Sequence, residues 1–331
     1  MSGALTIAGI AFLVSAALVP LVVRFAVGRQ MLDMPNLRSS HEVPTPRLGG
    51  IAIVCGAWIG MVAGATVHGA GPPPALWPLL VAATVAGVAG FADDLAGLGL
   101  GPRAGVQTLA ALSLLVYLPP PILAQSGGVA RYALLALAVF WVVGLVNAFN
   151  FMDGIDGIVG GAALVNLVFL AVIVGGSGAF FALAGGVAGF LLWNTSPASI
   201  FLGDGGSYFV GFALAAGVLY LPVPDAGAPL GVVVCAAVFA PFLLDTAYTL
   251  ISRARAGKNV LSAHREHIYQ RITPTGAMHR RTSALYYGAS VVSGLAALLM
   301  LGGQVVLGLA VISLVCAGLL SLPRAFGAGR G

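Results

Sequence analysis

The sequence predicts an all-α polytopic integral membrane protein with about eleven transmembrane helices, and three observations carry that prediction. Hydrophobic residues make up 59% of the 331 positions and charged residues only 8%, with a mean hydropathy of +1.02. Soluble domains carry roughly 25% charged residues, so the polar surface is too small to coat a water-soluble globule. Several uninterrupted apolar runs reach the roughly 20 residues a helix needs to cross hydrocarbon. The few charges, finally, gather between alternate runs, as loops on one side of a membrane do. A soluble enzyme is excluded.

The runs fall near 4–27, 48–66, 75–92, 104–121, 132–149, 157–176, 179–193, 206–222, 229–252, 283–301 and 303–322. They leave one transmembrane domain over 1–331 and no room for a large extramembrane domain. The first run lacks a basic leader and a small-residue cleavage site, so it reads as an anchor. Loops after spans 1, 3, 5, 7 and 9, the C-terminus and the adjoining helix ends hold fourteen of the fifteen Lys and Arg. That side is therefore expected to be cytoplasmic, with the N-terminus outside and the C-terminus inside. Its longest loop, 253–282, carries seven basic residues against Glu266. Most acids and histidines share this face, whereas the midplane is almost wholly apolar, which weighs against a transporter of an anionic substrate. Cys55, Cys235 and Cys316 lie in apolar runs and imply no disulfide framework. No nucleic-acid partner is expected.

The polar residues of this face fall into five groups, taken in chain order. In Pro44-Thr-Pro-Arg47-Leu-Gly-Gly50, two prolines fix the backbone and paired glycines admit a close approach by backbone or phosphate. Arg47, with His41 upstream, is the anion-binding candidate, and a rigid turn into span 2 explains the segment equally well. Span 3 ends in Asp93-Asp94, where mutual repulsion and the negative end of the helix dipole call for a cation, a basic partner or a shifted proton. Arg103 could supply part of that compensation. Asn147, Asn150, Asp153 and Asp156 recur at intervals of three; they converge better if the helix breaks at Gly154 and Gly157 than if it continues. Such side chains suit Mg²⁺ coordination and hydrogen bonding to a nucleotide or sugar. Asn194 opens the next loop, which ends Phe201-Leu-Gly-Asp204-Gly-Gly-Ser207; Asp204 reads either as the cap of span 8 or as a metal–diphosphate ligand beside a stacking aromatic. His264-Arg265-Glu266-His267 places two histidines at a spacing of three, too few ligands for zinc, next to guanidinium groups that suit phosphate. Gly56, Gly60 and Gly64 suit close helix contact, as within a homodimer, and Asp245 reads as a buried hydrogen-bonding group or a support for the site.

Taken together and in this order, these motifs resemble the polyprenyl-phosphate N-acetylhexosamine-1-phosphate transferases, from about residue 35 to about 275. The resemblance implies ten or eleven transmembrane helices with the site on the cytoplasmic face of the inner (cytoplasmic) membrane. It implies transfer of N-acetylhexosamine 1-phosphate from a UDP-N-acetylhexosamine to undecaprenyl phosphate, with release of UMP and Mg²⁺ as cofactor, Mn²⁺ substituting. Asp204 then resembles the principal metal ligand, with Asn150 and Asp153 beside the metal or diphosphate. Asp93 resembles the acid that deprotonates the acceptor, with Asp94 its neighbour and Asp153, Asp156 and His267 completing the catalytic set. Arg47, Asn147, Asn194, Phe201, His264 and Arg265 are similar to substrate-binding groups. The histidine segment departs from the denser run of lipid I and N-acetylglucosamine enzymes. It resembles the branch that starts O-antigen-type glycans with 6-deoxy sugars such as FucNAc or QuiNAc, which makes a dedicated peptidoglycan enzyme the weaker expectation.

Overall fold

The computed structural model describes residues 2–35, 43–68, 76–176, 178–221, 223, 224, 226–260, 262, 264–273 and 278–326. The helices are α1 (Ser2–Gly28), α2 (Gly50–His68), α3 (Leu76–Ala96), α4 (Leu100–Tyr117), α5 (Pro121–Ala124), α6 (Gly128–Met152) and α7 (Ile158–Ile173). They continue with α8 (Gly178–Asn194), α9 (Gly203–Tyr220), α10 (Ala228–Ala237), α11 (Ala240–Arg255), α12 (Ile268–Arg271), α13 (His279–Leu301) and α14 (Val305–Ala325). A two-stranded antiparallel ribbon, β1 (Leu32–Asp33) with β2 (Thr45–Pro46), pairs Leu32 with Pro46 and Asp33 with Thr45.

The fold is built around α9, which is buried at every position from Gly205 to Tyr220. Small residues make this possible: a Cβ on Gly206 would stand 2.8 Å from the Gly50 Cα, and one on Gly211 3.0 Å from the Val146 Cα. Neighbouring helices therefore approach α9 to backbone contact. At the periphery the pattern reverses, with Phe140 on α6 75% exposed and Leu314 on α14 73% exposed. Large aliphatic and aromatic side chains left uncovered around a bundle are what a lipid-facing surface requires.

Among the described residues, five helices are long and apolar enough to cross a membrane, or six if the bent pair α10 and α11 is one span. Eleven such spans are expected from the apolar runs, and part of the difference has a physical source. Helices α7 and α8 are apolar but have only 16 and 17 residues, or about 25 Å of rise against a hydrocarbon core of about 30 Å. Run 229–252 is not one straight rod. It breaks at Val238 and Phe239 and turns by 81°. Pro241 opens the new helix, where a missing N–H costs no intrahelical bond. The Gly56, Gly60, Gly64 stripe is already occupied within the chain, since added Cβ atoms would meet Ala11 and Ile7 of α1. It therefore offers no free face for a homodimer.

The tightest joint lies where α2 begins. A Cβ on Gly50 would fall 2.3 Å from the Cα and 2.4 Å from the N of Gly206, backbone atoms that cannot rotate away. Gly50→Ala is expected to lower stability by about 1–3 kcal/mol through overpacking, read as a lower thermal midpoint in detergent. Gly101→Ala, with nothing within 4 Å of its would-be Cβ, should leave the midpoint unchanged. Equal midpoints for the two variants would show that the joint yields.

Candidate active site

Three loops and a helix end meet above α9. The Gly49 and Gly50 N–H groups donate to the Phe201 and Leu202 carbonyls at 3.0 Å, and the Phe201 N–H donates to the Pro46 carbonyl at 2.7 Å. Pro46–Gly50 thus runs beside Phe201 and Leu202, just before α9 begins. Gly203 sits at φ +76°, and a Cβ there would stand 2.0 Å from the Arg47 carbonyl oxygen. Only glycine fits this crossing.

Asp94 holds the start of α9. Its carboxylate, 1% exposed, accepts the Asp204 N–H at 3.2 Å and the Gly205 N–H at 3.1 Å. These are two of the orphan donors that open a helix, so α9 is capped by a side chain of α3 and not by Asp204. Gly90 makes the approach possible, because a Cβ there would fall 2.3 Å from the Asp204 carbonyl oxygen.

The Asp204 side chain is left free to face Asp93, and the two carboxylates are in direct contact. Arg103 spans them, with Nη1 2.6 Å from Asp93 Oδ2 and 3.7 Å from Asp204 Oδ2. Arg47 donates to Asp33 and places its other nitrogen 4.0 Å from Asp94. Asp153 caps the end of α6. There it accepts the Gly203 N–H, and burial together with the charges of Asp94 and Asp156 pushes its carboxyl up to about 8. Asn150 joins the group by accepting the Ser207 hydroxyl at 3.0 Å, and Asn147 donates to Gln107 at 2.8 Å. Five acids, Asp33 among them, therefore gather around two guanidinium groups.

Asp156 and Asn194 of the expected site residues are bonded into the surrounding framework. Asp156 faces the other way from Asp153: Oδ2 accepts the Ala198 N–H at 3.2 Å and lies 3.3 Å from His279 Nδ1. Although burial opposes its charge, His279 and these hydrogen bonds hold the carboxyl below the ordinary range. Asn194 is buried and spent on backbone, accepting the Gly157 N–H and donating to the Ile200 carbonyl. Phe201 is half-buried and fixed by its main chain. The break in the Asn/Asp motif is as expected: α6 ends at Met152, and Gly157, at φ +74°, precedes α7.

The histidine segment is not helical before α12. His264 and His267 stack with ring centroids 5.0 Å apart. His267 is buried, with Nδ1 3.0 Å from Asp245 Oδ1. Asp245 also accepts the Ile268 and Tyr269 N–H groups and the Tyr286 hydroxyl. This acid of α11 is the hub of the segment. The segment reaches the carboxylate cluster through Tyr269, whose hydroxyl donates to the Phe151 carbonyl at 3.0 Å, and through His267, which contacts the Phe151 ring. Burial and the neighbouring His267 charge lower the His264 pKa. Arg265 is half-buried in the same segment, and His41 lies outside the described residues. Sequence reasoning missed Ser207, Gln107, Tyr208 and His279. The signals for Gln107 and Tyr208 were their positions one turn after Arg103 and Asp204.

Among the described residues no three His, Cys, Asp or Glu side chains form a ready-made metal cage. The donor set is nonetheless that of a hard cation. Every available ligand is oxygen, and like-charged Asp93 and Asp204 touch, an arrangement an added positive charge relieves. Mg²⁺ in particular keeps several waters and takes only one or two carboxylates from the protein.

The family described as glycosyl transferase family 4 matches residues 76–221. The chain is 27% identical to a probable undecaprenyl-phosphate N-acetylglucosaminyl 1-phosphate transferase of Bacillus subtilis, over 92% of this chain and 87% of that one. It is 30% identical to the decaprenyl-phosphate N-acetylglucosaminephosphotransferase of Mycobacterium tuberculosis, over 76% and 71%. A phospho-N-acetylmuramoyl-pentapeptide-transferase of Symbiobacterium thermophilum is 31% identical over 65% and 71%. With the all-α membrane bundle and the motif order, these similarities show that the chain belongs to the polyprenyl-phosphate N-acetylhexosamine-1-phosphate transferases.

Proposed function

We propose that the protein transfers N-acetylhexosamine 1-phosphate from a UDP-N-acetylhexosamine to undecaprenyl phosphate, starting a cell-envelope glycan of O-antigen or similar type. The observation that carries this reading is the cluster of Asp93, Asp94, Asp153 and Asp204 with Arg47 and Arg103 at the end of an apolar bundle. Two anionic substrates must meet there, and cationic groups have to offset their repulsion. The protein would span the inner membrane about eleven times, N-terminus outside, with this site facing the cytoplasm, as the basic loops suggest.

Asp204, Asn150 and Asp153 would hold Mg²⁺, or Mn²⁺ in its place. When bound, the ion supplies charge neutralisation for the diphosphate and the leaving UMP. The residues of the chain do the rest. Arg103, paired with Asp93, and Arg47, near Asp94, hold phosphate oxygens; Asp93 takes any proton remaining on the acceptor phosphate. An acceptor oxygen attacks the β-phosphorus, the bond from that phosphorus to the bridging oxygen breaks, and UMP leaves. Direct attack needs mainly positioning, and Asp94 provides it by fixing α9. The His264 segment, braced by Asp245, would close over the sugar or phosphates.

The test is mass spectrometry of the lipid products formed by the purified protein with undecaprenyl phosphate, Mg²⁺ and UDP-GlcNAc, UDP-FucNAc or UDP-QuiNAc in parallel. One of the three should give a polyprenyl-diphosphate-sugar with an equal amount of UMP. No lipid product from any donor would sink the reading.

A further inference from the structure

The turn that carries Asp153 has few holds of its own. Helix α6 ends at Met152 and α7 begins at Ile158, so the carbonyls around this break lack the helical partners that would fix them. Local bonds are short in range: the Asp153 N–H donates to the Asn150 carbonyl at 3.2 Å and the Gly154 N–H to the Met152 carbonyl at 3.0 Å. Gly154 and Gly157 add backbone freedom.

The missing partners come from residues 118 to 130 positions further along the chain. The Tyr269 hydroxyl donates to the Phe151 carbonyl at 3.0 Å, the Ser283 hydroxyl to the Asp156 carbonyl at 2.8 Å and the Tyr287 hydroxyl to the Gly157 carbonyl at 2.6 Å. His279 adds a fourth hold, with Nδ1 3.3 Å from Asp156 Oδ2 and 3.4 Å from the Asp156 backbone nitrogen. His279, Ser283 and Tyr287 recur at intervals of four and so share one face of α13.

The glycines of the turn match these side chains. A Cβ on Gly154 would stand 2.1 Å from the Tyr269 hydroxyl oxygen, and one on Gly157 2.9 Å from the Tyr287 hydroxyl oxygen. One on Gly161 would stand 2.1 Å from Tyr287 Cζ. These glycines are seats for two tyrosines as well as breaks in a helix, and a ring packed against bare backbone leaves the turn little room to shift. All four side chains converge on the one turn whose acid, Asp153, accepts the Gly203 N–H at the edge of the carboxylate cluster.

Resting on the proposed function, we infer that Tyr269, His279, Ser283 and Tyr287 are positioning residues that act through the Phe151–Gly157 turn and set where Asp153 stands in the site. Helices α12 and α13 thus aim an acid that belongs to the end of α6.

The experiment uses the full-length protein in one detergent. Tyr269→Phe, Ser283→Ala and Tyr287→Phe each delete a single hydroxyl, and Tyr220→Phe is the control. Tyr220 donates to the Leu114 and Leu118 carbonyls, a bond of the same kind at the far end of α9 from Asp204. Amide deuterium exchange across 151–158 should rise in the three variants and stay at the parental level in the control. In the three variants kcat should fall about tenfold or more while KM for either substrate stays within about twofold, because a displaced acid weakens the transition state and not the binding of the reactants. Parental exchange or parental kcat in all three would overturn the assignment, and so would an equal loss of kcat in Tyr220→Phe. Faster exchange at 151–158 in a protein that transfers no sugar from any donor would instead keep the positioning of the turn and reject the proposed reaction.

Discussion

Asp204→Asn is expected to lower transfer by three or more orders of magnitude while leaving the protein folded. The substitution keeps the shape and removes the charge that faces Asp93 and Arg103. If Asp204 is the principal ligand of a divalent ion, its loss forfeits several kcal/mol of charge stabilisation in the transition state, about a decade in rate for each 1.4 kcal/mol. Stability should move the other way or not at all, because one of two touching carboxylates becomes neutral. Steady-state rates with saturating donor and acceptor, measured beside a thermal midpoint in the same detergent, check both halves. Turnover within tenfold of the parent protein would remove Asp204 from the reacting centre.

Asp94→Asn has the second largest expected effect, through a different cause. Asp94 accepts the Asp204 and Gly205 N–H groups with its two carboxylate oxygens. An amide offers one oxygen and one NH₂, so one of these buried N–H groups would lose its acceptor, at about 1–3 kcal/mol. The thermal midpoint should fall, and turnover should fall at least about tenfold as the start of α9 shifts and carries Asp204 with it. An unchanged midpoint with lost activity would deny the capping role and place Asp94 against the substrate. The two substitutions therefore separate by stability, although both lose activity.

The membrane class and the break after Met152 were legible because hydropathy and glycine punctuation are local signals. The Asp93–Arg103 pair was legible for the same reason, lying ten residues apart across a short Gly-rich turn. Asp94 as the cap of α9 was not, since its partners are 110 and 111 residues away and the motif offered Asp204 as a nearer candidate. Asp245 illustrates the same limit: its bonds reach His267 at a separation of 22 residues and Tyr286 at 41, and a lone acid in an apolar run cannot name its partners. The turn within 229–252 had a signal in Pro241. Apolar periodicity continues through the proline, however, and hydropathy alone does not register direction.

Around Asp204, and beside the Asp94 cap, three of the contacts that fix position are made by main chain: Gly50 on Gly206, Gly90 on Asp204, Arg47 on Gly203. Contacts of this kind contain no rotamers. Thermal hopping of side chains elsewhere in the bundle cannot loosen them, and exchanging one lipid-facing aliphatic for another cannot displace them. The reactive carboxylate is thus referenced to backbone and to one buried carboxylate, while the surrounding hydrocarbon surface is free to drift with the composition of the bilayer it meets.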